Sequence, residues 1–263
     1  MVGKFLKFFG QLLKTSISNE YSLRLNFWIE VIFMAINNSF WVVTWLILFN
    51  KFGSVNGWGS EHIVLMMGIT MATFGIYSFC FSGTADWLAG YIDRGELDTF
   101  ILQPKNILLN VAASKCSPSA FGDFLSGLLF IGFSGLLSLS SLPIILLTLV
   151  AGCLVFLSMA IFVGTLAFWF KGVEGWGTQI FHLFLNLTMQ PGSIYTGVVK
   201  TVLLFAVPAG IIAFLPIELV MNPTAWGLVK MVAIPLVFFA ASVWFFYRGL
   251  RRYESGNNFG IRG

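Results

Sequence analysis

The sequence predicts an all-α integral membrane protein. It has six transmembrane helices, an N-terminal helix in the membrane interface, a cytoplasmic helix between spans 2 and 3, and a re-entrant region before span 6. Three observations carry this. Of 263 residues, 57% are hydrophobic and only 10% charged, against about 25% charged in a soluble domain. Too few charges remain to cover a water-facing surface. Apolar stretches close to the ~20 residues that cross a bilayer recur along the chain, with 29 Phe and 9 Trp among them. The basic residues lie at the ends of these stretches, biased to one side, which is the pattern that sets topology.

The elements follow in order. In residues 1–17, Lys4, Lys7, Gln11 and Lys14 share one helical face, and Phe5, Leu6, Phe8, Phe9, Leu12 and Leu13 fill the other. Residues 3–16 therefore read as an amphipathic interface helix rather than a cleavable signal. Span 1 covers 25–49 with Glu30 as its only charge, and span 2 covers 63–83 with none. A polar stretch runs over 86–115. Residues 124–170 hold no charge, and Ser140, Ser141 and Pro143 divide them into span 3 (119–139) and span 4 (142–170). A turn with Lys171 and Glu174 leads into span 5 (177–190). Residues 191–222 are apolar but broken by Pro191, Pro208 and Pro216, with Tyr195, Lys200 and Glu218 among them. Irregular backbone at membrane depth is tolerated only beside protein or a water-filled cavity, so this segment reads as re-entrant or as a kinked span. Span 6 covers 231–247.

Charge bias chooses six spans over seven. With the N-terminus cytoplasmic, Lys4, Lys7, Lys14, Arg24, Arg94, Lys105, Lys115, Lys171, Arg248, Arg251, Arg252 and Arg262 fall inside, and Lys51, Lys200 and Lys230 outside. Both termini are then cytoplasmic. Residues 1–263 form a single transmembrane domain. The net charge of +4 is topological rather than a nucleic-acid footprint. The three cysteines form no CxxC pair, so neither a disulfide framework nor a metal site is expected.

The chemistry is sparse. There is no phosphate-binding loop of the G-x-x-x-x-G-K-[ST] kind, no HExxH and no GxSxG. No cofactor and no catalytic residue is expected on this chain. His62 and His182 lie far apart in sequence, and a packed or hydrogen-bonded role suits His182. Glu30 and Asp123 are costly at membrane depth and have no evident partner in sequence. Asn37 and Asn38 must hydrogen-bond something, and gluing spans together is one such role. The most informative piece is 90–106. Its alternation of charged and apolar residues, stopped by Pro104, reads as a short amphipathic helix exposing Asp93, Arg94, Glu96 and Asp98. Physics alone makes it a dock for another protein or a solvated connection.

The run YIDRGELDTFILQPKN, with Gly95, Glu96, Leu97, Asp98, Ile101, Leu102, Pro104 and Asn106, resembles the cytoplasmic segment of type-2 ABC exporter permeases. QPGSIYTG, with Pro191, Ile194 and Tyr195, is similar to that family's proline-aromatic stretch before the last span. LRRYESG, with Arg251, Arg252, Tyr253, Glu254 and Ser255, is similar to the C-terminus of an uncharacterised transport-system branch. Thr196 departs from the pattern, since many relatives carry a second proline there.

The resemblance implies one permease subunit of a four-part exporter in a plasma membrane, naturally a bacterial inner membrane. The partners it implies are a second permease, identical or related, and two ATP-binding cassette ATPases holding ATP and Mg, with lipid around them. It implies that 85–100 is a coupling helix entering an ATPase cleft, with Asp93, Arg94, Glu96, Leu97 and Asp98 as coupling residues. It implies a path lined by spans 1, 2 and 5. Trp28, Glu30, Phe33, Asn37, Asn38 and Trp41 are the candidates on span 1, Ser78 and Phe81 on span 2, and Asn186 and Met189 on span 5. The alternatives are a secondary transporter or channel acting alone, or a membrane assembly scaffold. The first calls for a dense intramembrane charge network or an internal repeat, and neither is evident. A membrane enzyme comes last.

Overall fold

A computed structural model describes residues 24–253 except 55, 116 and 118. The interface helix expected at 3–16 lies outside the described residues, as do Glu254 and Ser255. The described chain is helical: α1 (Arg24–Phe52), α2 (Ser60–Phe81), a π-helical turn (Gly83–Trp87), α3 (Leu88–Asp93), α4 (Asp98–Ile101), α5 (Ile107–Ala112) and α6 (Ala120–Phe133). Then come α7 (Leu142–Thr165), α8 (Val173–Thr188), α9 (Gly197–Phe205), α10 (Gly210–Ala213), α11 (Leu215–Met221) and α12 (Ala225–Leu250).

Among the described residues four helices are long and apolar enough to cross a membrane: α1, α2, α7 and α12. A fifth crossing arises if α9 and the α10–α11 segment, bent by 100°, are one broken span. This falls short of the six-span expectation, and the physical reason is local. The third expected span is reduced to α6, whose 14 residues rise about 21 Å. Ser134 bonds back to the Ile131 carbonyl, Gly135 turns left-handed at φ +71°, and a serine-laced turn through Ser138 and Ser141 follows. The fifth is α8, whose 16 residues rise about 24 Å. It starts after Gly172 at φ +74° and ends before the buried Pro191. In the expected re-entrant stretch, a 3-10 turn at Gly192–Ile194 precedes α9. Its prolines are pulled inward: Pro191, Pro208 and Pro216 are all buried, and Tyr195 is half-buried.

Helix α2 occupies the centre, with α6 and α7 as its main neighbours; α1 packs on α6 and α12 on α7. The α2–α6 seam is made of small residues. A Cβ on Gly68 would stand 2.7 Å from the Ile131 amide nitrogen, one on Gly75 2.5 Å from that of Phe124, and one on Gly127 2.3 Å from that of Ala72. This is the close backbone approach by which helices associate in lipid. On its other side α2 meets aromatic rings. Tyr77 stacks at 5.9 Å on Phe156 of α7 and lies 5.6 Å from Phe181 of α8, while Phe184 sits edge-on to Phe156. Helix α1 buries a narrow stripe of Val31, Asn38, Val42 and Phe49 and leaves Leu25, Ile32, Phe40 and Ile47 exposed. Such a face suits lipid or a neighbouring subunit.

Candidate functional site

The connection after α2 is not one helix over 85–100. The π-helical turn carries the chain into α3, whose first five residues, Leu88 to Ile92, are buried. At Gly95 the backbone turns left-handed at φ +72°. The Gly95 amide donates to the Ile92 carbonyl and the Leu97 amide to the Tyr91 carbonyl, closing the helix end. Glycine at this position is what such a helix stop requires. Leu97 then plunges into the core with no exposed surface, and α4 adds a single turn from Asp98. Leu97, expected among the coupling residues, is therefore an anchor beneath the surface. Asp93, Arg94 and Glu96 are exposed and Asp98 is half-buried.

Arg94 ties this connection to the start of α8. Its Nε donates to Glu96 Oε1 at 3.0 Å and its Nη1 to Glu174 Oε1 at 2.5 Å. The Glu174 amide lies 3.5 Å from Asp93 Oδ2. Glu174, and after it Glu96, hold the Arg94 guanidinium above its ordinary pKa. Gly90 leaves room for the clamp: a Cβ there would stand 2.6 Å from Glu174 Oε1 and 2.8 Å from Arg94 Nη1. Beside it lies a groove of about 710 Å³ between Ile92, Asp93, Ala167, Lys171 and Glu174.

The other side of the connection is held by the end of α12. Asn106 caps α5 by accepting from the Leu109 amide, and its Nδ2 donates to the Tyr247 hydroxyl at 2.8 Å. Tyr253 follows α12, and its hydroxyl is pushed up to about 12 by burial and then by the Asp98 carboxylate. The connection is thus bonded to the ends of two helices distant in sequence, which makes it a joint rather than a loose loop.

The expected path residues divide into two groups. Trp28, Glu30 and Asn37 are exposed on α1, and Trp41 is half-buried. Asn38 turns inward, donating from Nδ2 to Asp123 Oδ1 and to Ser126 Oγ, both at 2.8 Å. It bonds α1 to α6, and Asp123 finds in it the partner that was not evident from sequence. On α8, Met189 is buried, whereas Asn186 is exposed in a polar stripe with Gln179 and His182. These positions are spaced by three and four, so they form one helix face. His182 is thus exposed rather than packed. Phe81 and Ser78 at the end of α2 are half-buried. Among the described residues no group of His, Cys, Asp and Glu is arranged to hold a metal.

The described residues thus form a multi-pass helical membrane domain with a bonded joint at one end of its central span and a polar face on α8. The model of the family described as ABC-2 family transporter protein matches residues 24–257. The chain belongs to that family, which makes it a type-2 ABC permease. No curated protein matches the chain.

Proposed function

We propose that this chain is the permease subunit of an ATP-driven exporter. It would form a path where two permeases meet and couple to separate ATPase subunits through residues 91–101. The observation that carries the reading is the Arg94 clamp. A load applied at Glu96 passes through Arg94 to Glu174 in the first turn of α8, and so to the helix bearing Gln179, His182 and Asn186. The same load reaches α2 directly, since α3 is its continuation through the π-helical turn. In this reading the groove beside Asp93 and Lys171 faces the ATPase, and Asp93, Arg94, Glu96 and Asp98 meet it, with Leu97 holding the segment in place. ATP and Mg belong to the partner. The exposed faces of α1 and α8 supply the permease contact and the path, in a homodimer or heterodimer. The basic ends of the spans favour cytoplasmic termini.

The test is copurification from the native membrane. An ATP-binding cassette ATPase is expected with the wild-type chain and is expected to be lost when Glu96 and Asp98 are both changed to Lys. An ATPase retained by the double variant would overturn the docking role. Absence of any ATPase in both detergent and nanodiscs would overturn the exporter reading.

A further inference from the structure

The second polar concentration lies at the opposite end of the molecule, where α1 ends and α2 begins. There a cavity of about 620 Å³ opens between the 53–59 connection, the 3-10 turn at Gly192–Ile194, the bent α9–α11 segment and the start of α12. Its walls include Ser193, Thr196, Lys200, Glu218 and Lys230. Two lysines against one glutamate leave the cavity with a net positive charge.

Each donor has a separate structural origin. Lys200 Nζ is ion-paired with Glu218 Oε1 across the 100° bend. Lys230 has no acidic partner among the described residues, so its charge remains unspent. The side chain of Thr196 does not cap α9, and Thr196 and Gly197, at the start of that nine-residue helix, line the cavity. A helix N-terminus carries partial positive charge and free N–H groups. Independently of these, Ser193 is only 5% exposed and its Oγ is buried with no hydrogen-bond partner. Asn56 holds this turn in place by donating to the Ser193 carbonyl at 2.7 Å. A buried hydroxyl without a partner costs free energy unless a ligand or water completes it.

We propose that this cavity is a phosphate-binding site, taking the phosphate of a phospholipid headgroup or of a soluble phosphoester. The Lys230 ammonium, the exposed Thr196 hydroxyl and the N-terminal end of α9 offer several donors at once, which matches the several acceptor oxygens of a phosphate better than a single carboxylate oxygen. The volume exceeds that of a bare ion and leaves room for what the phosphate is attached to. Trp58 and Tyr195 also line the cavity, and such aromatics sit at headgroup level in a bilayer. The site is separate from the Arg94 joint and does not rest on the exporter reading.

The full chain, purified in detergent, is titrated in two arms: with phosphatidic acid against diacylglycerol of the same acyl chains, read by native mass spectrometry, and with inorganic phosphate against chloride, read by thermal shift. Saturable binding of phosphatidic acid alone identifies a lipid headgroup site, and a response to inorganic phosphate identifies a soluble one. Lys230→Gln is expected to weaken binding about tenfold, the loss typical of one charge-assisted hydrogen bond. Glu218→Gln removes the competing acid and is expected to tighten binding, a gain that misfolding cannot imitate. The proposal is overturned if neither phosphate probe binds, if Lys230→Gln binds like the wild type, or if Glu218→Gln fails to tighten binding.

Discussion

Gly127 and Gly132 lie on the same short helix, and replacing each by alanine separates packing from helix propensity. A Cβ at Gly132 meets nothing within 4 Å, whereas one at Gly127 would lie 2.3 Å from the Ala72 nitrogen and 2.7 Å from its Cα. Those are backbone atoms of α2, which cannot swing aside as a side chain can. Ordinary contact would require the two helices to part by about 1 Å, at a cost typical of overpacking, about 1–3 kcal/mol. At Gly132 the change only removes glycine's conformational freedom, worth up to about 1 kcal/mol in favour of the helix. Gly127→Ala gains the same propensity, so the two variants should differ by the overpacking cost alone, about 1–3 kcal/mol. The assay is an SDS-unfolding titration of the purified protein in mixed micelles, followed by far-UV circular dichroism. Equal midpoints for Gly127→Ala and Gly132→Ala would refute the close α2–α6 seam.

Other consequences follow from the same structure. Asn38→Leu leaves the buried Asp123 without its α1 donor and should cost about 1–3 kcal/mol in the same titration. Adding Asp123→Leu should recover most of that, because removing both partners strands no polar group. Arg94→Glu should abolish stimulation of the copurified ATPase while changing stability by less than about 1 kcal/mol, since the pairs are exposed. Combining it with Glu174→Arg should restore part of the stimulation, and a double variant no better than the single one would count against the clamp. Tyr253 titrates above the ordinary value of 10, near 12. Its neutral form is the one the fold favours, so its contribution is constant below pH 10 and is lost as pH climbs toward 12. In an absorbance titration at 295 nm, Tyr253→Phe should remove one phenol from the late-ionising part of the curve.

The long spans were legible because length and apolarity suffice to mark them. α1, α2, α7 and α12 lie where the sequence places spans 1, 2, 4 and 6, with ends shifted by a few residues. The shorter helices are hidden because apolarity does not report where a helix stops. Gly135 and Gly172 end or begin helices through left-handed backbone inside or beside apolar runs, and a hydropathy reading passes over them. At the joint the charged residues cluster visibly in sequence, but their pattern does not show Gly95 as the stop that divides 85–100 into α3 and α4. Alternating polarity then made Leu97 look like part of an exposed face, when a positive-φ glycine two residues before it redirects the chain inward. The Arg94–Glu174 and Asn38–Asp123 contacts span 80 and 85 residues, and no local pattern reaches that far. The topological charge count did place Arg94 on the same side as the turn containing Glu174, which was the available signal for the first.

The small-residue seam also decides where this protein can change shape. Two helices that meet backbone to backbone leave no space for rotamers to rearrange between them, so α2 and α6 share one set of degrees of freedom and move as a single body. Asn38 couples α1 to that body through Asp123 and Ser126. The contacts of α2 with α7 and α8 mix three kinds: rings of Tyr77, Phe156 and Phe181 at 5.6–6.3 Å, a close approach of Gly152 to Thr73, and the Thr70 hydroxyl donating to the Thr188 carbonyl at 3.1 Å. Aromatic faces hold apolar area in contact over a range of offsets and tilts, whereas the Thr70 bond and the Gly152 contact each fix one position of α2 on its neighbours. Before any partner binds, α1, α2 and α6 are thus packed as one block, and that block is fastened to α7 and α8 at a few polar and small-residue points set among aromatic rings.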